Sequence, residues 1–387
     1  MVVHVESPPS APVPRLAVPG ALVLEDGAAY VGTLFGAGRE TAAEVVFNTG
    51  MTGYQEICTD PSYRGQMVVL THPQIGNYGV DLAVAESTRP WVAGLIVREL
   101  ALEPHHWRAS EPLDAYLARH GVTGLEGIDT RALTRRLRRR GALRGVLAPI
   151  ARPELSTGEH AALLQRARQL PALSERDVVS EVVGAASAAV TPAGTGPRVV
   201  VLDCGAKHNI VRSLQRRGAA VTTVGADATL ETILAARPAG VVLANGPGDP
   251  AALPGVVGLV RDLLRTDLPI FGICLGHQLL ALAVGATTSR LPFGHHGSNH
   301  PVQDVRTGAV HITAQNHEFQ VDRDSLPAAS GFYVSHINLN DGSVEGLAHR
   351  ERPVFSVQFH PEGCPGPQDN QYLFDEFFAL LAARVGE

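Results

Sequence analysis

Cysteine is scarce in this sequence, and the scarcity excludes several classes of protein. The 387 residues include four cysteines, none in the C-x-x-C spacing of zinc ribbons and redox motifs: Cys58, Cys204, Cys274 and Cys364. So few thiols cannot form a disulfide framework, which favours a reducing compartment such as the cytoplasm. The formal net charge of −6 provides no overall attraction to nucleic acid or to anionic lipid.

Long uninterrupted hydrophobic runs are also missing. The nearest candidate for a membrane span, residues 268–286, has His277 and Gln278 in its middle and is interrupted by glycines. A buried strand followed by a helix explains this segment better, so we predict no membrane association. Residues 1–20 contain five prolines but no cationic segment followed by an apolar run, and we predict a flexible tail there.

The chain lacks a G-x-x-x-x-G-K-[ST] phosphate loop, so nothing in it suggests that it handles ATP alone. Its length predicts two domains. Residues 184–197 are small residues, prolines and glycines with a single valine, which is typical of a linker. We therefore predict a smaller strand-rich α/β domain over residues 21–152, a helical connection and linker over 153–197, and a second domain over 198–387.

The second domain alternates short apolar runs with helical patterns. The run RVVVL at residues 198–202 is followed by helical spacing at 209–217, and the unit repeats as far as residue 283. This rhythm predicts an α/β fold with a doubly wound, mostly parallel sheet, which binds ligands beyond the carboxyl ends of its strands. Later runs, with the turn signal NDGS at 340–343, indicate antiparallel strands, and an amphipathic helix over 370–383 closes the chain.

Seven arginines lie between Asp129 and Gly145. Asp129 can cap a helix in which Leu133 and Leu137 share one face, and Gly141 can end it. The first interpretation is an amphipathic helix with a solvated cationic face. A surface for an acidic partner is the second hypothesis, and nucleic acid is the third.

Cys274 stands in the run FGICLGHQ, where the predicted strand passes into the predicted helix. The form G-x-C-x-G is that of a nucleophile on a tight strand-to-helix turn, and the helix N-terminus that follows activates a thiol. The alternative is a buried structural cysteine. The two glycines at a strand–helix junction favour the nucleophile.

His360 and Glu362 follow directly after the apolar strand predicted at 354–359. In extended backbone residues i and i+2 point the same way, so the carboxylate can orient the imidazole. Cys274, His360 and Glu362 would then be nucleophile, base and orienting acid. The alternative for His360 is a strand-end histidine that meets solvent.

A third motif, ANGPGDP at residues 244–250, ends another predicted strand. Its glycines let backbone N–H groups approach a ligand, and Gly246 with the N–H of Leu275 can bind the oxyanion of a tetrahedral intermediate. An ordinary turn is the alternative for such a segment taken alone.

These motifs carry a resemblance that covers the chain from about residue 21 to its end. FGICLGHQ, ANGPGDP and FHPE resemble the class I (triad) glutamine amidotransferases, and VVFNTGMTGYQEICTDPSYRGQ, IDTRALTRRLRRRG, FGHHGSNHPV and ITAQNHEF resemble the small chains of carbamoyl phosphate synthetase. The resemblance implies that the chain hydrolyses L-glutamine through a γ-glutamyl thioester. Ammonia would pass through a tunnel to a large chain, which makes carbamoyl phosphate from bicarbonate for arginine and pyrimidine biosynthesis. ATP and Mg²⁺ are expected on that large chain, and no cofactor on this one.

The resemblance assigns the catalytic roles to Cys274, His360 and Glu362. It also places eight residues around the glutamine: Gly50, Gly246, Gly248, Leu275, Gln278, Asn316, Glu318 and Phe319. Glu318 departs from the pattern, because glycine is expected after Q-N-H. If that position contributes more than its backbone, its charge is expected to weaken binding of the carboxylate of glutamine.

Two other functions remain open. The chain could be a glutaminase that serves another synthase, such as those of the anthranilate or GMP pathways, which would lack FNTGMTGYQE; or it could be a regulatory or scaffolding subunit with little turnover. His295, His296 and His300 lack an acidic or thiol ligand at familiar spacing, so we predict hydrogen bonding rather than a metal site for them.

Overall fold

The computed structural model of the protein describes residues 17–183 and 195–385. Most of the predicted tail and linker therefore lies outside the described residues. The tail is nevertheless shorter than predicted, because Val18–Leu24 form the first strand. Val18 pairs with Leu34 of the next strand, and Gly20 with Pro149, so sheet pairing holds a segment that its prolines had marked as irregular.

The first domain contains a closed sheet of seven strands and a separate pair of short strands. The strands are β1 (Val18–Leu24), β2 (Ala29–Gly36), β3 (Thr41–Asn48), β4 (Gln66–Leu70), β5 (Gln74–Ile75), β6 (Gly94–Ile96), β7 (Glu99–Leu100), β8 (Thr123–Glu126) and β9 (Leu143–Pro149). The closed sheet has the order β1-β2-β8-β6-β4-β3-β9, and β9 also pairs with β1. The helices are α1 (Tyr54–Thr59), α2 (Leu113–Arg119) and α3 (Thr130–Arg140).

The arginine-rich segment forms α3, as its pattern predicts. The carboxylate of Asp129 accepts a hydrogen bond from the N–H of Ala132 at 2.8 Å, and Gly141, with φ of 89°, ends the helix. Leu133 and Leu137 are buried, while most of the arginines are exposed. The amphipathic helix is confirmed, and the acidic partner surface stays a hypothesis.

The connection contains the helices α4 (Thr157–Gln169) and α5 (Val178–Val183). The hydroxyl of Ser156 and the carboxylate of Glu159 form a capping box at the start of α4. Glu181 of α5 pairs with Arg64 of the first domain at 2.7 Å. This stretch therefore packs along the first domain before the chain enters the second.

The second domain contains an open sheet of nine strands, in the order β11-β10-β12-β13-β18-β17-β16-β14-β15. They are β10 (Arg198–Asp203), β11 (Ala220–Gly225), β12 (Gly240–Leu243), β13 (Ile270–Ile273), β14 (Thr288–Asp304), β15 (Val310–Val321), β16 (Phe332–Asn338), β17 (Val344–His349) and β18 (Val354–Val357). The helices are α6 (His208–Arg216), α7 (Leu230–Ala235), α8 (Pro254–Leu263), α9 (Leu275–Ala283) and α10 (Tyr372–Val385). Strands β10 to β13 and β18 are parallel, and the other four extend the sheet in antiparallel fashion.

Successive apolar side chains of the parallel strands point to opposite faces of the sheet, and this creates two hydrophobic cores. Val199 and Val201 of β10 pack in one apolar cluster with residues of α6 and α10, whereas Val200 and Leu202 pack in another with α8 and α9. Successive side chains of a strand point to opposite faces, so the apolar run of β10 is covered on both sides. The predicted α/β fold class, with a doubly wound sheet after a strand-rich domain, is confirmed.

The NDGS turn lies between β16 and β17, where the sequence predicts a hairpin. Gly342 has φ of 76°, and the carboxylate of Asp341 accepts a hydrogen bond from the N–H of Ser343 at 3.0 Å. Residues 268–286, the candidate for a span, form β13 and α9 instead. Among the helices of the described ranges, none has both the length and the apolar character needed to cross a membrane.

Candidate active site

Cys274 occupies the turn between β13 and α9 with an unusual backbone conformation. Its φ of 53° and ψ of −104° lie outside the regions that residues with a side chain normally adopt. A Cβ at Gly276 would lie 2.1 Å from the carbonyl oxygen of Leu243, and a Cβ at Gly272 would lie 2.9 Å from the carbonyl oxygen of Gly276. The two glycines of the motif are therefore required by close backbone packing around the turn.

Replacing Gly276 with alanine is expected to lower the free energy of unfolding by about 1–3 kcal/mol, because β12 and α9 must move apart to admit the methyl group. Urea denaturation measures the change. Gly258→Ala is the matched control: no atom lies within 4 Å of its Cβ position, and an alanine within α8 should raise stability by about 0.5–1 kcal/mol. Equal stability of the two variants would contradict the packing argument.

The thiol of Cys274 is buried and contacts two polar groups. It donates to the carbonyl oxygen of Asn316 at 3.6 Å and accepts from the amide of Gln358 at 3.7 Å. Nε2 of His360 has no hydrogen-bond partner among the described residues, so the thiol and the imidazole are not bonded to each other. In enzymes such bonds commonly form or tighten only when substrate is bound.

His360, Glu362 and Lys207 form a buried chain of charged groups. Nδ1 of His360 lies 2.7 Å from Oε1 of Glu362, and Nζ of Lys207 lies 2.6 Å from the same oxygen. The ammonium also donates to the carbonyl oxygen of Cys364 at 2.9 Å. Sequence analysis missed Lys207. Two signals were available: it is the one lysine of the sequence, and it stands just after β10, at the edge where ligands bind in such sheets.

These contacts set the charge of each group. Burial and the charge of Lys207 both lower the pKa of His360, but Glu362 and Cys274 outweigh them and raise it to about 10. Burial raises the pKa of Glu362, yet Lys207 and His360 outweigh burial and lower it. The imidazole is thus held in its charged form beside an ionised carboxylate, which suits it to give a proton to a leaving amine.

One cavity brings together seven of the predicted residues: Gly246, Gly248, Cys274, Gln278, Asn316, Glu318 and Phe319. Leu275 follows the nucleophile as the first residue of α9, and its side chain packs against Gly246. Gly50 does not line this cavity; its N–H donates to the side chain of Asn48 at 2.7 Å. His360 lines a second cavity, which shares Asn316 with the first.

The first domain contributes residues to this site that sequence analysis did not find. Ser62 and Gln66 line the cavity. Asp60 accepts a hydrogen bond from the amide of Asn316 at 3.1 Å, and the hydroxyl of Ser62 accepts one from Asn245 at 2.9 Å. The candidate site therefore lies between the two domains. Asp60, Ser62 and Gln66 stand in the run VVFNTGMTGYQEICTDPSYRGQ, in which sequence analysis assigned a role to Gly50 alone.

The side chain of Glu318 also faces this site, so the residue contributes more than its backbone. It is buried, lines the cavity, and is bound by Arg290 at 2.5 Å and by the amide of Gln66 at 3.0 Å.

The histidines of β14 have acidic neighbours, contrary to the expectation from their spacing. His295 lies 2.8 Å from Asp341 and 3.5 Å from Glu345. Potential ligand atoms of His295, His317 and Glu345 lie within 4.8 Å of one another. Spacing along the chain did not reveal this group because the carboxylates come from β17 and its hairpin turn, 46 residues away for Asp341.

Hydrogen bonds account for this group. Burial lowers the pKa of His295, but its hydrogen bond to Asp341 and the nearby carboxylate of Glu345 outweigh burial and raise the pKa to about 9, so a charged imidazolium occupies the position. Both ring nitrogens of His317 have partners, the carbonyl oxygen of Phe319 at 2.8 Å and the side chain of Gln315 at 2.9 Å. That this chain binds no metal stays a prediction.

Two families match the chain in succession. Residues 22–147 match the carbamoyl-phosphate synthase small chain, CPSase domain. Residues 200–380 match the class-I glutamine amidotransferases. The second match contains Cys274, His360, Glu362 and the predicted glutamine-binding residues of the second domain.

Full-length relatives carry the same pair of regions. The carbamoyl phosphate synthase small chain of Symbiobacterium thermophilum is 54% identical over 360 residues, which cover 92% of this chain and 97% of that protein. Those of Bacillus caldolyticus and Listeria monocytogenes serotype 4b are 50% and 49% identical, each over 93% of this chain and 96% of the relative.

Proposed function

This chain belongs to the family of carbamoyl phosphate synthase small chains, with a class-I glutamine amidotransferase domain, and on that premise we propose that it is the glutaminase subunit of such an enzyme. The observation that carries the proposal is a cavity that contains the thiol of Cys274 on a strained turn, beside a buried imidazole held by a carboxylate. L-glutamine is the proposed substrate. Residues 22–147 match the CPSase domain of carbamoyl-phosphate synthase small chains, which argues against a glutaminase that supplies ammonia to another synthase.

In the proposed reaction, Cys274 and His360 form a thiolate–imidazolium pair, in which the imidazole already carries the proton of the thiol, and the sulfur attacks the side-chain amide carbon of glutamine. The C–N bond then breaks, the imidazolium protonates the departing nitrogen, and ammonia leaves. Water next attacks the γ-glutamyl thioester, the C–S bond breaks, and glutamate and the thiol are released. Glu362 holds the imidazole through its bond to Nδ1.

Backbone N–H groups of Gly246 and Leu275 are the proposed donors to the oxyanion of each tetrahedral intermediate. Leu275 is the first residue of α9, where the N–H groups of a helix lack intrahelical partners. A Cβ at Gly246 would lie 2.1 Å from the carbonyl oxygen of Cys204. Glycine therefore allows this segment to lie close to the nucleophile.

The proposed partner is a large chain, to which ammonia passes through an internal tunnel. That chain would bind ATP and Mg²⁺ and make carbamoyl phosphate from bicarbonate, in the cytoplasm, for arginine and pyrimidine biosynthesis. The relatives are named small chains, which supports the assignment of the two reactions to two separate chains. The lack of a phosphate loop in this sequence supports it as well.

A glutamine-analogue electrophile tests the proposal. It is expected to label the purified chain, alone or together with the large chain, with mass spectrometry locating one adduct on Cys274. Cys58, Cys204 and Cys364 serve as internal controls, because burial raises the pKa of each of these thiols. No labelling of Cys274 even with the large chain present would contradict the proposal.

A regulatory or scaffolding subunit with little turnover is the second candidate. The observation in its favour is the lack of a hydrogen bond between the thiol of Cys274 and His360 in the described structure. The same labelling experiment separates the two functions, since a scaffold needs no reactive thiol.

A further inference from the structure

Two hydrogen-bond acceptors lie together in the wall of the cavity, at the junction of the domains. Glu318 comes from β15 of the second domain and Gln66 from β4 of the first, and 252 positions separate them in the sequence. Both side chains are buried, at 9% and 3% exposure, and both line the cavity that contains Cys274.

The carboxylate of Glu318 is only partly neutralised. Arg290 lies 2.5 Å from Glu318, but it also lies 2.5 Å from Glu44, so two carboxylates share one guanidinium. Burial and then the charge of Glu44 raise the pKa of Glu318 to about 7 although Arg290 opposes them. When both carboxylates are ionised, these three side chains carry one more negative than positive charge, and a further cation beside the cavity would stabilise the ionised form of Glu318.

Gln66 has an acceptor without a donor. Its amide nitrogen donates to Glu318 at 3.0 Å, which fixes the amide with its carbonyl oxygen turned elsewhere. That oxygen is buried and has no hydrogen-bond partner among the described residues. Burial of an unsatisfied acceptor is costly, so an orphan oxygen in the wall of a cavity points to a donor supplied by a ligand.

A cation with several N–H groups would satisfy both Gln66 and Glu318 at once. A primary ammonium fits, because it has three donors and a positive charge that can serve Gln66 and Glu318 together. L-glutamine carries such a group at the end opposite its reactive amide. Cys274 and Glu318 line one cavity, so a glutamine with its amide at the thiol can extend toward the carboxylate.

We propose that Glu318 and Gln66 bind the α-ammonium group of L-glutamine, and that Arg290 and Glu44 position the carboxylate for it. This inference rests on the proposed glutaminase function and assigns a specificity-determining contact within it. It reverses the expectation from the sequence, in which the charge of Glu318 opposes the carboxylate of glutamine. It also makes the first domain part of the substrate site.

The test compares L-glutamine with 4-carbamoylbutanoate, which has the same amide and carboxylate but no amino group. Glutamate or glutarate formation is measured on the full chain in complex with its large chain. Glu318→Gln should lower kcat/KM for L-glutamine about 10- to 100-fold, the usual effect of losing one hydrogen bond to a charged group, chiefly through KM. The value for the analogue should change less than about threefold, so that discrimination between the two substrates falls.

Gln66→Leu is a second test, because it removes the unpaired acceptor and leaves all the charges in place. Discrimination between L-glutamine and 4-carbamoylbutanoate should again fall. Glu99→Gln is the matched control: Glu99 is exposed on the first domain and does not line the cavity, so the variant should preserve discrimination. Thermal unfolding of each variant checks that it is folded.

An equal loss for both substrates in Glu318→Gln and Gln66→Leu would overturn the inference and indicate a purely structural network. If the wild-type complex hydrolyses L-glutamine and Cys274 is labelled, that result leaves the proposed function standing. If neither hydrolysis nor labelling occurs in the wild type, the proposed function itself fails.

Discussion

Cys274→Ala is expected to abolish glutamine-dependent synthesis of carbamoyl phosphate in the assembled complex, while synthesis from free ammonia continues. Removing a catalytic nucleophile typically lowers turnover by about 10⁴-fold or more, because no other group can form the covalent intermediate. Alanine removes only the sulfur from a site where the backbone around Cys274 is held by β13 and α9, so the proposed tunnel and the proposed contact with a large chain should be unaffected.

Two rates measured on one preparation decide the outcome: carbamoyl phosphate formed from glutamine, and carbamoyl phosphate formed from ammonium chloride at saturation. Cys364→Ala is the matched control, since Cys364 contacts the charged chain through its backbone carbonyl, which alanine retains; both of its rates should remain. Survival of the glutamine-dependent rate in Cys274→Ala would end the assignment of the nucleophile. Loss of both rates would indicate a failure of assembly.

Lys207→Met should destabilise the protein by about 3–5 kcal/mol, the usual cost of leaving one partner of a buried ion pair without the other. The side chains of Lys207 and Glu362 are 2% and 0% exposed, so water cannot replace the lost ammonium. Glutamine hydrolysis should fall with stability, since Glu362 then holds His360 without its second partner. Denaturant unfolding at pH 7 measures the effect.

A double-mutant cycle isolates this interaction. In a Glu362→Gln background the same lysine substitution should cost less, because the carboxylate that Lys207 contacts directly is no longer there to be stranded. The effect also depends on pH. The folded protein lowers the pKa of Glu362. The contribution of Glu362 to the free energy of unfolding is therefore present above its unfolded-state pKa of about 4.3, and it is lost as the pH falls toward the lower pKa of the folded state. Equal costs in both backgrounds would show that the lysine acts only through packing.

Features that depend on neighbouring residues were predictable. The turn at Cys274 follows from two glycines between an apolar strand and a helix, and the hairpin before β17 follows from NDGS. The caps of α3 follow from Asp129 and Gly141. In each case the residues that determine the backbone conformation lie within a few positions of one another, so the pattern contains the physical cause.

Contacts between residues far apart in the sequence were not predictable in this way. Lys207 is the one lysine of the sequence, but nothing near it in the sequence pairs it with Glu362. Gln66 ends a run that carries the family resemblance, yet nothing in that run indicates a contact with Glu318. Glu318 could be recognised only as a departure from an expected glycine. Arg290, which holds its carboxylate, lies 246 positions from Glu44, the other group that it binds.

The amino-acid sequence by itself determined the fold class, the family and the candidates for nucleophile, base and orienting acid, because periodicity, turn chemistry and short motifs act over a few residues. Only the tertiary structure decided which charges are buried together and which acceptors lack donors. Electrostatic energy in a water-poor interior depends on distances in space. Lys207 and Glu362 become neighbours only when the second domain folds, and Gln66 and Glu318 only when the two domains are folded against each other.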